Sequence, residues 1–212
     1  AGQVSKPRIL LLDIETAPML CYAWDMRDVT IGIEQIESPS RTICWSAKWY
    51  GEREVMYLDE RAGRERMFKG IHHHMSAADA IITYNGDRFD IPKLMGGFLE
   101  YRLPPPAPAV SIDLYKTTKK MGWQSGKLAY VAPLLKIGAK VKNEGFPLWK
   151  AVMAGNERAW AKMERYNKQD TRLLDRLYTV IRPYIKTHPY LGTVGATPHE
   201  ACPRCQSTAV QS

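Results

Sequence analysis

Two carboxylates one residue apart, Asp13-Ile14-Glu15, follow directly on the apolar run Ile9-Leu10-Leu11-Leu12. An apolar run without alternation reads as a strand buried on both faces, the kind found at the centre of an α/β sheet. Side chains alternate along a strand, so Asp13 and Glu15 point the same way, side by side. Two such carboxylates repel each other and resist burial unless a cation lies between them. A hard divalent ion, Mg²⁺ or Mn²⁺, suits an all-oxygen ligand set. The competing reading is the solvated end of a strand. The dipeptide alone does not choose.

Two other stretches carry chemistry-bearing residues. Trp160, Met163, Tyr166, Leu174, Leu177, Ile181 and Tyr184 recur at steps of three and four, the apolar stripe of a long helix. Asp170 fills the slot between Tyr166 and Leu174, one turn beyond Tyr166 on the same face. A carboxylate on a buried face needs a metal, an arginine or a helix N-terminus beside it. In Tyr84-Asn85-Gly86-Asp87-Arg88-Phe89-Asp90, Asn85-Gly86 reads as turn chemistry. Asp90, with Pro92 close behind, reads as a helix N-cap. That place, where a strand's carboxyl end meets a helix, is also where α/β sheets build their sites. The two readings are compatible, because a capping carboxylate can still hold an ion through one oxygen or through water.

The elements that must position these groups follow from periodicity and breakers. Strands are expected at residues 9–16, 41–50, 54–59, 80–85 and 110–114. The second and third form a hairpin about Gly51-Glu52-Arg53, with Ile43, Trp45, Met56 and Leu58 on its apolar side. Helices are expected at 61–76, 90–102, 128–137, 148–153 and 156–184, and residues 17–40 read as irregular. Hairpin first, then alternating helices and strands, then a long final helix, implies an α/β sheet of mixed polarity.

Composition narrows the partners. The 212 residues suit one domain with a small appendage, divided here as 1–186 and 187–212. Thirty Lys+Arg against 22 Asp+Glu give a formal charge of +8, which favours a polyanionic partner, nucleic acid above all. No apolar run reaches membrane-span length and the N-terminus has no signal-peptide pattern, so a cytoplasmic location in a bacterial or phage-infected cell is expected. Cys21 and Cys44 stand alone and Cys202 and Cys205 form a close pair, which is not a disulfide framework.

The ordered set Asp13-x-Glu15, Asn85-x4-Asp90 and Tyr166-x3-Asp170 resembles the DEDD superfamily of 3′→5′ exonucleases, in its tyrosine-bearing DEDDy branch. The segment Leu128 to Gly138 followed by Lys140 is similar to that family's helix between the second and third motifs. Asp13-Ile14-Glu15-Thr16-Ala17-Pro18 and Cys202-Pro203-Arg204-Cys205 also resemble phage and bacterial stand-alone exonuclease-like proteins. The resemblance implies a ribonuclease H-like fold, a five-stranded mixed sheet flanked by helices, and two divalent cations, Mg²⁺ or Mn²⁺. By position, Asp13 would bridge both ions, Glu15 and Asp170 would complete the first, and Asp90 would hold the second through water. Tyr166 would orient the attacking water or the scissile phosphate, since a phenol with a pKa of about 10 is a poor base at neutral pH. The backbone amides of Thr16 and Ala17, with Met19 or Leu20 as an apolar wedge, would hold the terminal nucleotide, and Asn85 would help position it. Asp87 is an alternative ligand, and Asp113 reads as structural.

Trp123, in a Gly/Ser loop near Lys119, Lys120 and Lys127, reads either as a base-stacking platform beside Lys127 phosphate contacts or as ordinary packing. His72-His73-His74 diverge round a helix and read as a solvated helix end. In the tail, His199-x2-Cys202-Pro203-Arg204-Cys205 has half of a zinc ribbon, with His188 or His199 left to supply further Zn²⁺ ligands; an unmetallated pair is the competing reading. The expected substrate is single-stranded nucleic acid with a free 3′ end, DNA favoured. RNA trimming, a catalytically weak nucleic-acid-binding module and a structure-selective endonuclease are the alternatives.

Overall fold

The central strand of the sheet, β1 (Ile9–Ala17), is flanked by helices on both sides, and this explains its unbroken apolar run. The computed structural model describes residues 7–189. After β1 come β2 (Leu20–Cys21), β3 (Ile36–Ser38), β4 (Arg41–Trp49), β5 (Met56–Asp59), α1 (Arg64–Ser76) and β6 (Ala80–Thr83). The chain continues through α2 (Asp90–Glu100), β7 (Val110–Asp113), α3 (Tyr115–Thr118), α4 (Leu128–Leu134), α5 (Phe146–Met153) and α6 (Glu157–Ile181). The five-stranded sheet has the order β5-β4-β1-β6-β7. β1 runs antiparallel to β4 and parallel to β6, so the sheet is mixed, as expected.

Leu10, Leu12 and Ile14 pack with Trp45 and the buried side of α1 and α2. Ile9 and Leu11 pack on the opposite face with Leu173, Leu174 and Leu177 of α6. Leu10, Leu11 and Leu12 are wholly buried, and each such side chain contributes about 1.5–3 kcal/mol by leaving water. Alternation then carries Asp13 and Glu15 onto the face of Ile9 and Leu11, under α6.

The register of β1 against β4 slips just past the second carboxylate. Glu15 lies opposite Cys44, whereas Thr16 lies opposite Thr42, so Ile43 is the extra residue of a bulge. A bulge sharpens the local twist and re-aims side chains. It also corrects the expected one-sided hairpin: Trp45 packs towards α1 and α2, but Ile43 joins Cys44 against α5 and α6. β4 is buried from Thr42 to Lys48, on both faces.

Five local expectations are also revised. The expected helix from residue 61 begins at Arg64, because Gly63 takes a φ of 98° that interrupts it. Asp90 is the first residue of α2 and not its N-cap; Phe89 occupies that position and makes no side-chain cap. α6 starts where expected, with Asn156 Oδ1 accepting from the Ala159 amide at 3.0 Å. It ends at Ile181, however, because Pro183 brings only a 3₁₀ turn, and Tyr184 is 63% exposed, outside the buried stripe. Residues 17–40 hold the small β2–β3 pair. The histidine triplet is not uniformly solvated: His72 bonds the Pro104 carbonyl oxygen at 2.8 Å and His74 lies edge-on to Trp45 and Trp49.

Candidate active site

Three carboxylates meet where β1 passes under the middle of α6. Oxygens of Asp13, Glu15 and Asp170 lie within 4.8 Å of one another. β1 supplies the first two from one face, and the helical stripe of α6 turns Asp170 inward, leaving it 3% exposed. Among the described residues, a single cation answers them. Lys140, from the loop between α4 and α5, places Nζ 2.6 Å from Asp170 Oδ2 and donates to the Tyr166 hydroxyl at 3.2 Å.

This leaves the cluster undercompensated, and the electrostatics follow. Burial raises the Asp13 carboxyl well above its usual range, and the charges of Asp170, Asp90 and Glu15 add to that; Lys140 opposes it. Burial, then Asp170, pushes Glu15 up to about 8. Asp170 is also raised by burial, against the pull of Lys140. Burial and the Asp170 charge raise the Tyr166 hydroxyl, so it stays protonated at neutral pH. Burial works against the Lys140 ammonium, but Asp170 and Tyr166 outweigh it and hold its pKa above the ordinary lysine value.

The residues present fit a divalent cation. Asp170 Oδ1 is buried and has no hydrogen-bond partner, an expensive state for a carboxylate oxygen that lacks a positive neighbour. With two further carboxylates within reach, the donor set is all oxygen and anionic, as Mg²⁺ and Mn²⁺ require.

Asp90 stands outside that group of three. Its Oδ1 accepts from the amide of Ile14, between the two β1 carboxylates, at 3.0 Å. Burial raises its pKa to about 7. Asp87 is bonded to Lys116 and Ser111 and lies outside the group of three. Asp113 is structural, accepting from the amides of Asn85 at 2.7 Å and Tyr115 at 3.0 Å. The first of these bonds holds Asn85 in a left-handed conformation, φ 64°, which asparagine tolerates well.

A cavity of about 620 Å³ opens beside Asp13, lined by Tyr84, Asn85, Arg88, Tyr115, Lys127 and Lys140 among others. Three cations, Arg88, Lys127 and Lys140, share its lining with Asp13. Trp123 is not among its lining residues; it packs half-buried against the core beneath α6. Thr16 and Ala17 sit in the ladder just past the bulge, opposite Thr42 and Arg41. Met19 follows, 41% exposed. His188 uses both ring nitrogens, on the Tyr178 hydroxyl and the Pro189 carbonyl, so it is not free to take a metal. His199, Cys202 and Cys205 lie outside the described residues.

Sequence reasoning missed two residues of this site. Lys140 lies in a loop, where no periodicity marks its direction. Asn167, wholly buried, donates from Nδ2 to Asp13 Oδ2 at 2.6 Å. Its place on α6, next to Tyr166 and three residues before Asp170, was a signal that could have found it.

Comparison with known proteins agrees with this architecture. Residues 10–182 match the family model described as RNase_H superfamily. No curated protein matches the chain. Among solved structures, a family B DNA polymerase from the hyperthermophilic archaeon Pyrobaculum calidifontis superposes with a TM-score of 0.58 at 17% identity. The match covers 84% of this chain and 25% of the polymerase, so the chain corresponds to about a quarter of that protein's length. At that identity the likeness concerns the fold.

Proposed function

The chain belongs to the RNase H superfamily, and on that premise we propose that it is a metal-dependent 3′→5′ exonuclease of the tyrosine-bearing DEDD type. It hydrolyses phosphodiester bonds at the 3′ ends of single-stranded nucleic acid, DNA in preference to RNA. The observation that carries this reading is the undercompensated cluster of Asp13, Glu15 and Asp170, opening onto a cavity that Arg88, Lys127 and Lys140 make basic. A protein that only bound phosphates would gain nothing from buried carboxylates facing them.

Asp13, Glu15 and Asp170 would hold the metal, with Asp90 joining through water. Two divalent cations, when bound, supply the Lewis acidity that activates water and stabilises the departing 3′ oxygen. Tyr166, kept protonated by burial and by Asp170, donates a hydrogen bond to the attacking water or to the scissile phosphate. Lys140 holds Asp170 and Tyr166 together and offsets part of the cluster's charge. Arg88 and Lys127 attract the phosphates, and Asn85 positions the strand at the mouth. Thr16, Ala17 and Met19, at the carboxyl end of β1, hold the terminal nucleotide, and Trp123, in the loop that leads to Lys127, offers a surface for base stacking.

The decisive experiment compares 3′-labelled, 5′-labelled and circular single strands, of DNA and of RNA, with Mg²⁺ or Mn²⁺. Linear strands should shorten from the 3′ end while the circle and a 3′-blocked strand survive. Rapid nicking of the circle would make the enzyme an endonuclease, and faster loss of the RNA strand would make it an RNA-trimming enzyme.

A further inference from the structure

Asn167 brings a buried side-chain amide against the acidic cluster, and the roles assigned above do not use it. Its Nδ2 lies 2.6 Å from Asp13 Oδ2 and 3.4 Å from the Asp13 carbonyl oxygen; the carbonyl oxygen only accepts, and so does the carboxylate oxygen in the ionised form that binds a metal. Its Oδ1 faces the Cys44 thiol at 3.9 Å, a weak donor. The amide therefore has one chemically sensible orientation, because the flipped form would set two oxygens against each other. The backbone around it is also pinned: Ser46 Oγ donates to the Asn167 carbonyl oxygen at 3.0 Å and lies 2.5 Å from Thr171 Oγ1. The side chain is wholly buried, so no water can take over the donor's part.

We infer that Asn167 is a positioning residue that sets the rotamer of Asp13 for metal binding, an assignment that rests on the two-metal reading above. An ionised carboxylate offers about four lone-pair positions. Asn167 occupies one of them from the side of α6 and leaves the rest for cations, which is what a bridging carboxylate requires. The bond joins residues 154 apart in sequence, so it also couples the docking of α6 on β1 to the direction of the Asp13 oxygens. Without it, Asp13 is free to turn towards Lys140 or into the open cavity, and the ligand set must be ordered each time an ion arrives.

The test measures free Mn²⁺ by electron paramagnetic resonance during titration of the protein, without substrate, alongside thermal unfolding. Asn167→Leu keeps the volume and removes the donor. It should weaken Mn²⁺ binding 10–100-fold, the usual cost of losing an outer hydrogen bond to a metal ligand. With DNA, kcat at a fixed Mn²⁺ concentration should fall while KM for the strand stays put, because Arg88 and Lys127 are untouched. Ser46→Ala is the control. It strips the bonds to the Asn167 backbone and to Thr171 but spares the amide, so it should lower the melting temperature and leave Mn²⁺ affinity within twofold. Equal Mn²⁺ affinity in Asn167→Leu and wild type would overturn the inference, as would equal weakening in Ser46→Ala. A wild-type protein that takes up no Mn²⁺ sinks both this inference and the two-metal site. One that binds Mn²⁺ and cuts no strand sinks the nuclease reading alone.

Discussion

Two clusters of carboxylates among the described residues differ in how they are answered. At the edge of the sheet, Asp59 accepts three bonds from Arg61, from its amide at 3.0 Å, Nε at 3.1 Å and the far nitrogen at 2.8 Å. Arg61 also reaches Glu157 at 2.6 Å, and Arg41 grips Glu60 through two bonds of 2.9 Å. Those acids and bases neutralise one another, and each oxygen named has a donor. At the centre, Asp13, Glu15 and Asp170 share one lysine, and an Asp170 oxygen has nothing. The number of acidic groups is similar; the compensation is not. A satisfied cluster holds elements together, whereas an unsatisfied one spends stability to stay ready for a cation.

The sharpest way to break this contrast is to remove a central carboxylate. Asp13→Ala or Asp170→Ala should abolish cleavage, beyond the roughly 10²–10³-fold expected for one lost hydrogen bond, with folding intact. The check is single-turnover cleavage at saturating Mg²⁺, with circular dichroism for the fold. Near wild-type turnover in Asp13→Ala would end the site assignment.

Tyr166→Phe should come next in size. The ring keeps its edge contact with Trp149, centroids 5.9 Å apart, so only the hydroxyl is lost. A rate loss of up to about 10²–10³-fold is expected, with Mn²⁺ binding unchanged. A variant as dead as Asp13→Ala would contradict the assisting role, and one at full speed would reduce Tyr166 to packing.

At the edge cluster the sign reverses. Asp59→Ala should lower unfolding free energy by about 1–3 kcal/mol in urea titrations, since Arg61 loses the more buried of its two acidic partners, while turnover per folded molecule stays at the wild-type value. A loss of turnover there would erase the distinction between the clusters.

Protons sharpen it further. The folded pKa values of Glu15, about 8, and Asp90, about 7, lie above those of the unfolded chain. Between roughly pH 4 and 8 the metal-free folded state therefore binds more protons than the unfolded one, and stability falls as pH rises. The melting temperature in EDTA should drop across that window and recover with Mg²⁺, and Asp13→Ala should flatten the drop. A flat wild-type profile would mean that the cluster is better compensated than its geometry indicates.

The smallest effect belongs to the cavity's rim. Lys127→Ala, measured with a non-cleaved strand, should weaken binding and reduce the slope of log affinity against log salt by about 0.7, one phosphate's share on a single strand. An unchanged slope would take Lys127 out of the phosphate path.

Much of this was legible in the residues themselves. The run from Ile9 to Leu12 announced a strand covered on both faces, because a solvent-facing strand would alternate. The three- and four-residue steps along α6, with Asn156 to start it, placed Asp170 on the buried face before any partner was known. The ordered carboxylates and the tyrosine pointed to a ribonuclease H-like fold, which the superfamily match shows, because each belongs to a local element whose period is set by backbone geometry.

What lies between elements was decided by packing. The bulge at Ile43, which redirects β4 just past Glu15, depends on how two strands distant in sequence come to register, Thr16 with Thr42 and Glu15 with Cys44, and no residue type marks it. Lys140 meets Asp170 across 30 residues and Asn167 meets Asp13 across 154, contacts set by the docking of a loop and a helix. Whether a carboxylate is satisfied or stranded depends on every group that covers it, since desolvation and Coulomb attraction are sums over neighbours in space. The sequence by itself determined the five strands of the main sheet, the long helices, and which way the acidic residues of β1 and α6 face. Tertiary structure alone decided that three of those residues share one cation, because charge compensation is a property of the packed interior and not of the chain.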